Sequence, residues 1–368
     1  MPLEQLRSKV LEVDDACDAT DRFYENGWTD GLPIIPPTEE RVREMLRAGA
    51  LAPRELIGTF MQRKVAVTAE KVAVNAVMAG CLPDYMPVIV AAVKAMLHAD
   101  FGLHGILATT AGAAVMVVVN GPITQKLKIN SGMNCLGPGH RANATIGRAV
   151  ELINRNIFGR NPNALERSVF GNPAKYSFCF AEDESDGRWN HLHVQRGLPG
   201  GSAVTVFPAQ GGGFLIIDPM SESPEELLMS AARKMRSVHI SRFGNSFQLV
   251  MFSPEAFATL ADAGWTEAQV KQFLFENATW SVADLKMRPR LGRTTEIDGI
   301  DLQKPVQHGD DRKHYSIVPE PDAILVVTAG ALGQRLMMVV PSMAEYRIES
   351  APVTMPIGDS NDHPLQTG

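Results

Sequence analysis

The sequence predicts an α/β fold, with α+β as the alternative, in which two lobes of mixed sheet are covered by helices. Residues 114–119 are almost continuously apolar, which is typical of a strand in a sheet covered on both faces. Helical and strand patterns follow each other repeatedly, which favours a layered α/β structure. A glycine-rich loop lies between that apolar run and the helical pattern that begins after residue 140, so we expect this loop in the first lobe.

Composition limits the classes of function. The chain has 368 residues, of which 45% are hydrophobic and 21% charged, and its net charge is -6 at pH 7, which is ordinary for a globular protein. This acidic balance, without a Lys/Arg cluster, argues against nucleic-acid binding. No apolar run is long enough for a membrane span, and the N-terminus has no apolar signal region. The four scattered cysteines, without a Cys-x-x-Cys motif, predict a cytoplasmic protein.

Residues 1–60 predict an N-terminal helix followed by a proline-rich arm. The helix is predicted over residues 1–26, because apolar residues recur there at helical intervals. Pro36 and Pro37 forbid a helix and give an extended segment. Thr38 is a good N-cap for a helix over residues 39–46.

Residues 61–175 are predicted to form the first α/β lobe. A strand at its start precedes two apolar helices, and two further strands follow the helices. These elements are the strand at 65–68, the helices at 69–79 and 86–97, and the strands at 106–109 and 114–119. His104 lies just before the strand predicted at 106–109. The small apolar residues of the two helices also fit an interface in a homo- or hetero-oligomer.

Residues 176–300 are predicted to form the second α/β lobe, and residues 301–368 a C-terminal strand–turn–strand and tail. The second lobe is predicted to contain strands at 176–180, 204–207, 214–217 and 247–252 and helices at 224–236, 254–260 and 266–275. In the C-terminal part, a buried strand leads to a turn bounded by Gly330 and Gly333. These glycines are candidates to cradle a second ligand group.

The glycine-rich loop is the strongest candidate for a ligand site. Free backbone amides at the start of the following helix attract anions, and arginines flank them. We therefore expect a small anionic substrate to contact Asn130, Ser131, Asn134, Gly137, Gly139, Arg141, Asn143, Thr145 and Arg148. The loop is neither a Walker P-loop nor a dinucleotide fingerprint. A second interpretation stays open, in which the loop is a connector and Asn134 and Asn143 only cap and pin the backbone.

Polar and titratable residues are also dense at residues 182–197. His191 and His193 are two residues apart, so on a strand both would lie on one face. With the carboxylates of residues 182–186 they predict either a site for a divalent metal or a proton-exchange site. A surface or hydrogen-bonded pair of histidines is the alternative, since no third ligand is close in sequence. The candidate catalytic residues of the chain are His140, His104, His191 and His193, of which His191 and His193 are the candidate metal ligands.

Three segments of the chain resemble one bacterial protein family. They are Asp30-Gly31-Leu32-Pro33-Ile34-Ile35-Pro36-Pro37-Thr38-Glu39-Glu40-Arg41-Val42, Met78-Ala79-Gly80-Cys81, and Asn120-Gly121-Pro122 with Gly137-Pro138-Gly139-His140-Arg141-Ala142-Asn143-Ala144-Thr145-Ile146-Gly147-Arg148. Members of that family occur beside a small protein with a Sec/Cys-Gly-Ser-Cys (UGSC) motif, which is similar to the selenocysteine subunit of glycine and betaine reductases. The resemblance covers most of residues 28–200 and implies a metabolic enzyme or enzyme subunit with a UGSC-type partner. It supplies no catalytic residues, and this chain lacks the UGSC motif itself.

Three functions follow as hypotheses. The first is an enzyme, or its substrate-binding subunit, that breaks or forms a carbon–heteroatom bond in a small anionic metabolite, with or without a UGSC-type thiol or selenol partner. The second is a metal-dependent lyase or hydrolase that works alone and uses His191 and His193. The third is a non-catalytic scaffold for a redox partner.

Overall fold

The computed structural model describes residues 5–162, 164–238, 246–287, 296–304, 306, 309–343 and 350–358. The strands are β1 (Leu56–Phe60), β2 (Val65–Thr68), β3 (Ala113–Asn120), β4 (Cys179–Ala181), β5 (Ser202–Gln210), β6 (Phe214–Ile217), β7 (Gln248–Phe252), β8 (Thr279–Ser281), β9 (Glu296–Ile297), β10 (Ile300–Asp301), β11 (His314–Ser316), β12 (Ile324–Thr328), β13 (Leu336–Pro341) and β14 (Val353–Ile357). The helices are α1 (Ala16–Glu25), α2 (Glu39–Ala48), α3 (Ala69–Ala79), α4 (Met86–Leu97), α5 (Leu103–Ala108), α6 (Ile123–Leu127), α7 (Arg141–Asn156), α8 (Leu192–Gln195), α9 (Pro224–Val238), α10 (Pro254–Asp262), α11 (Glu267–Asn277) and α12 (Val282–Lys286). The predicted tail beyond residue 358 lies outside the described residues.

Two mixed four-stranded sheets form the centre of the protein, which confirms the predicted α/β fold. The strand order is β14-β5-β3-β4 in the first sheet and β12-β7-β13-β6 in the second. The pairs β3/β4 and β12/β7 are parallel, and the other neighbours are antiparallel. Strands β4 and β5 were predicted in the second lobe but pair with β3, so residue 176 does not separate the two sheets.

The two sheets pack face to face, and helices cover their outer faces. On β3, Val115, Val117 and Val119 belong to the core shared with helices α3, α4 and α7. The alternate residues Ala114, Met116 and Val118 belong instead to a core shared with residues of β7 and β12. Successive side chains of a strand point to opposite faces, so a fully apolar strand is what a sheet covered on both faces requires. Helices α9, α10 and α11 cover the second sheet in the same way.

Two predicted elements are wrong. Residues 103–108 form helix α5, not a strand, because Leu103, Ile106 and Leu107 recur at helical spacing and are all buried, and Gly102 starts the helix in the left-handed conformation. The N-terminal helix is also shorter than residues 1–26. It begins only at Ala16, because the Asp15 side chain accepts hydrogen bonds from the backbone N–H groups of residues 17 and 18 and so caps the helix there.

In the described part of the chain, no helix taken singly has both the length and the apolar character needed to cross a membrane. One pair of helical segments, Pro83–Leu97 and Ala99–Ala108, meets the length and composition criteria jointly, with a bend of 76° between them. Most residues of both segments are buried in the first core.

The carboxyl ends of β3, β4 and β12 meet at one place. The backbone N–H of Glu182 donates to the carbonyl of Val119 at 3.2 Å, and that of Asp183 donates to the carbonyl of Thr328 at 2.7 Å. The segment that follows β4 is therefore fastened to both sheets. This junction positions the candidate functional site.

Candidate functional site

Glu182 is a buried carboxyl group at the junction of the two sheets. It directly follows β4, its exposed fraction is 5%, and no described Lys or Arg forms an ion pair with it. Its Oε2 accepts hydrogen bonds from Asn120 Nδ2 at 2.5 Å and from the Leu192 backbone N–H at 2.8 Å. Burial is the main cause that raises the pKa of Glu182 to about 8; the nearby Glu184 adds to the rise, and these hydrogen bonds oppose it. At neutral pH the carboxyl group is therefore mostly protonated.

Asn120 links Glu182 to a second carboxylate. It is the last residue of β3 and is fully buried, and its Nδ2 also donates to Glu184 Oε1 at 2.8 Å. The same Glu184 oxygen accepts from the Gly121 backbone N–H at 2.9 Å. Among the described residues, Asn120 Oδ1 has no hydrogen-bond partner. One amide thus holds two carboxyl groups side by side, one buried and one partly exposed.

The two predicted histidines lie next to this pair. They are not on a strand, since His191 is the N-cap residue of the short helix α8 and His193 is the second residue of that helix. Their rings are nearly parallel, with an interplanar angle of 6° and centres 6.4 Å apart. His193 is buried, and its Nδ1 is 3.7 Å from Glu184 Oε1. Burial lowers the pKa of His193, with Glu184 acting in the opposite direction. The neutral imidazole is therefore the favoured form of His193 at neutral pH.

A small cavity opens beside Glu182. Its volume is about 120 Å³, and it is lined among others by Glu182, Asp183, His191, Gln195, Phe257 and Thr328. These residues come from the segment after β4, from the end of β12, and from α10, which begins directly after β7. Open α/β sheets bind ligands outside the carboxyl ends of their strands, and this cavity lies at such an edge.

An arginine at the rim of the cavity is already paired. Arg188 contacts Asp186 at 2.7 Å and Asp262 at 2.5 Å, and its guanidinium lies 5.2 Å from the centre of the Phe257 ring. The hydrogen bond from Arg188 lowers the pKa of Asp186. With Glu182 and Asp183 also in the lining, the cavity presents more carboxyl groups than cations.

The metal interpretation gains no support from the geometry. In the ranges that the structure describes, no three His, Cys, Asp or Glu side chains are arranged to hold a metal ion. Among the described residues, His191 and His193 therefore lack a third ligand of these types. His104 does not line the cavity beside Glu182, and the centre of its ring lies 6.2 Å from that of Phe60, a residue of the first core.

The arginines of the glycine-rich loop already have partners within the chain. Arg148 donates to both carboxylate oxygens of Asp30, at 2.8 and 2.9 Å, and also to the carbonyls of Leu32 and Pro33. Arg141 donates twice to the carbonyl of Gly80, at 2.9 and 3.1 Å. Arg148 thus fastens helix α7 to the N-terminal arm, and Arg141 fastens it to the end of α3 in the first lobe.

The loop's amides and hydroxyls mostly hold the loop together. Asn143 is buried and bonds to the N–H and C=O of Asn130 and to the carbonyl of Cys135. Asn134 donates to the carbonyl of Pro138 at 2.7 Å, and Thr145 to that of Arg141 at 2.8 Å. These contacts match the interpretation in which Asn134 and Asn143 pin the backbone.

The remaining candidate residues of the loop are two glycines, a serine and a histidine. Gly137 lies against the Asn134 side chain and leaves no room for a Cβ atom, and Gly139 has a φ of +115° that favours glycine. The carbonyl of Ser131 accepts from the Gly330 backbone N–H at 2.7 Å. His140 precedes α7 without a side-chain capping bond. No residue of the glycine-rich loop lines the cavity beside Glu182.

Sequence reasoning placed Glu182 and Glu184 only in a range of carboxylates and did not single out Asn120. The signal for Asn120 was present, because a polar residue at the end of an otherwise apolar strand lies at the edge of the sheet where ligands bind. The contact between Asn120 and the glutamates joins residues more than 60 positions apart, and no local pattern encodes it.

Comparison with protein-family models and with curated protein sequences returns no match for this chain.

Proposed function

We propose that the protein is an enzyme, or the substrate-binding subunit of one, in which Glu182 exchanges a proton with a small molecule. One observation carries this proposal. Glu182 is a buried carboxyl group without a cationic partner among the described residues, and it faces a cavity at the carboxyl ends of two parallel strands. A carboxyl group that serves only the fold is normally paired or exposed, because burying an unpaired charge is costly.

The environment of Glu182 suits acid–base catalysis. A group whose pKa of about 8 lies near neutrality is present in both protonation states, so it donates and accepts protons at similar free-energy cost. Asn120 and the Leu192 N–H hold its Oε2 in place. His191 lines the same cavity and supplies an imidazole as a second group for proton transfer.

This arrangement fits cleavage or formation of a carbon–heteroatom bond, as in a lyase or hydrolase. In cleavage, protonated Glu182 donates its proton to the departing heteroatom, and His191 accepts a proton from the substrate or from water. The carboxyl groups in the lining favour a neutral or positively charged group next to Glu182. An anionic substrate would therefore keep its negative charge outside this cavity.

A UGSC-type partner is the second part of the proposal, and it is supported by the family resemblance together with the state of the cysteines. Cys81, Cys135 and Cys179 are buried, and burial raises the pKa of each thiol, to about 12 for Cys81. Buried thiols with raised pKa values are poor nucleophiles. The exposed Cys17 does not line the cavity of Glu182, so a thiol or selenol step there would use a partner's residue, in a hetero-oligomer. The unpaired cysteines also support a place in the reducing cytoplasm.

The test is a turnover screen of small amines, amino acids and hydroxy acids, with and without a UGSC-type protein, on wild type and the Glu182→Gln variant. Loss of a general acid–base group should lower kcat by about 100- to 10,000-fold. Glu276→Gln, on the exposed face of α11, is the matched control and should leave kcat unchanged. Wild-type turnover that survives in Glu182→Gln would refute the role of Glu182, and no turnover under either condition would favour the scaffold hypothesis.

A further inference from the structure

A second cavity lies on the other side of Gln195. Its volume is about 370 Å³, and Gln195, Arg196, Lys271, Asp322 and Leu325 line it. Gln195 also lines the cavity of Glu182. Its Nε2 donates to the carbonyls of Asn190 and Val326, at 2.7 and 3.1 Å, which fixes the side chain between the two spaces.

Arg196 presents an incompletely paired guanidinium to this cavity. Its Nη2 donates to the Pro352 carbonyl at 2.9 Å, and among the described residues it forms no ion pair with a carboxylate. A guanidinium has five N–H donors in a planar fork, and a single carbonyl occupies only a small part of them. Most of the hydrogen-bonding capacity of Arg196 therefore remains for a ligand.

Lys271 supplies a second positive charge. Its side chain is 9% exposed, and its Nζ contacts Glu267 at 2.6 Å and Asp322 at the longer distance of 3.7 Å. Glu267 does not line the cavity, and the Asp322 side chain is 88% exposed. Glu267 therefore balances the charge of Lys271, and Arg196 is the lining cation that has no ion pair among the described residues. Asp322 is a solvated carboxylate at the rim.

We infer that this cavity binds the carboxylate or phosphate group of a small molecule. Arg196 provides the bidentate contact that both carboxylates and phosphates accept, and Lys271 lies in the lining as an ion pair with Glu267. Asp322 opposes binding from the rim. The site is independent of the proton chemistry at Glu182, because none of its cations touches that carboxyl group.

The experiment is isothermal titration calorimetry of the full chain with inorganic phosphate and, separately, with malonate, at constant low ionic strength set by chloride. Saturable binding of at least one of the two is expected, and the tighter one identifies the class of oxyanion. Arg196→Gln should weaken that binding by about tenfold or more, since charge-assisted bidentate hydrogen bonds are lost. Asp322→Asn should strengthen it by about two- to fivefold, because a like charge at the rim is removed.

Two controls make the outcome decisive. The first control is Arg41→Gln. Arg41 is exposed and donates to a proline carbonyl as Arg196 does, but it lies on α2 and does not line the cavity. Its substitution should leave the affinity for the oxyanion unchanged. Glu182→Gln should also bind the oxyanion as wild type does, so failure of the proton chemistry and failure of this site are separable. The inference is overturned if neither oxyanion saturates the protein, or if folded Arg196→Gln binds as wild type does, or if Asp322→Asn binds more weakly.

Discussion

The glycine-rich loop and the segment after β4 are both dense in polar residues along the sequence, but the polar groups of the two regions have different partners in the fold. On helix α7, directly after the loop, the side chains of Arg148, Arg141 and Asn143 all form hydrogen bonds with other groups of the same chain. After β4, Glu182 is buried without a cation beside it among the described residues, and it faces a cavity. Density of polar residues does not separate the two regions. What separates them is that Arg148 has a carboxylate partner within the chain, whereas Glu182 has no cation beside it among the described residues.

This difference follows from where each region lies. The loop joins elements within the first lobe, so its polar groups complete hydrogen bonds that an irregular backbone cannot make alone. The segment after β4 lies where the carboxyl ends of strands from both sheets meet, and strand ends leave a crevice there. Substitutions in the two regions should therefore have different effects on stability and on turnover.

The largest effect expected beyond catalysis is the pH dependence of stability caused by Glu182. Its pKa rises from an ordinary 4.5 to about 8 on folding, so the folded state binds the proton more tightly. Its contribution to the free energy of unfolding is fully present below pH 4.5 and is lost as the pH rises through about 8. At roughly 1.4 kcal/mol per pKa unit, the loss amounts to several kcal/mol.

Urea unfolding of wild type and Glu182→Gln between pH 5 and 9 measures this effect. The glutamine stays neutral, so the difference in free energy of unfolding between the two proteins should grow with pH in favour of the variant. The other titrating groups cancel in the difference. A difference that is constant across this range would contradict the burial of an unpaired carboxyl group.

Arg148→Gln should separate a fastening role from ligand binding. It leaves Asp30 without its partner in a pair whose side chains are only 15% and 13% exposed, so we expect a loss of about 3 kcal/mol in the free energy of unfolding. The KM of the folded variant should match that of wild type. A large rise in KM with little loss of stability would instead assign Arg148 to an anionic substrate.

Asn143→Ala should destabilise the loop without changing the chemistry. It removes bonds to both backbone groups of Asn130 and to the carbonyl of Cys135, all buried or partly buried, and we expect a cost of about 2 kcal/mol. Chemical denaturation measures the cost. Thr145→Ala, which removes one exposed hydroxyl contact, is the control and should cost less than about 1 kcal/mol.

The smallest effects are expected for His140→Ala and Arg141→Ala. Arg141 is exposed and bonds only to the Gly80 carbonyl in the described structure, and His140 makes no side-chain capping bond. We expect changes below about 1 kcal/mol in stability and unchanged kcat. Loss of turnover in either folded variant would return the active site to the glycine-rich loop.

Most of the fold was predictable because apolar periodicity reports burial directly. Helices α3 and α4 and strands β3 and β7 lie where their patterns place them. Helix α5 was mistaken for a strand because a short apolar run carries little periodicity. The partners of β5 and β14 were beyond prediction, since strand pairing across more than 100 residues leaves no local signal.

The candidate site was predictable only in part. His191 and His193 were identified from their spacing, and the structure places His193 beside Glu184 and His191 in the lining of the cavity. The role of Glu182 was not evident, because its pKa depends on burial and on Asn120 from another strand. The ion pair of Arg148 was not evident for the same reason, since its partner Asp30 is 118 positions away.

The most direct test of the central claim is the infrared titration of the protonated carboxyl band, recorded as the difference between wild type and Glu182→Gln. We expect one carboxyl group that is still largely protonated at pH 7, titrates near pH 8, and is missing in the variant. A difference spectrum without a protonated carboxyl band at pH 7, or one that titrates below pH 5, would show that Glu182 is an ordinary carboxylate and not a buried group with a raised pKa.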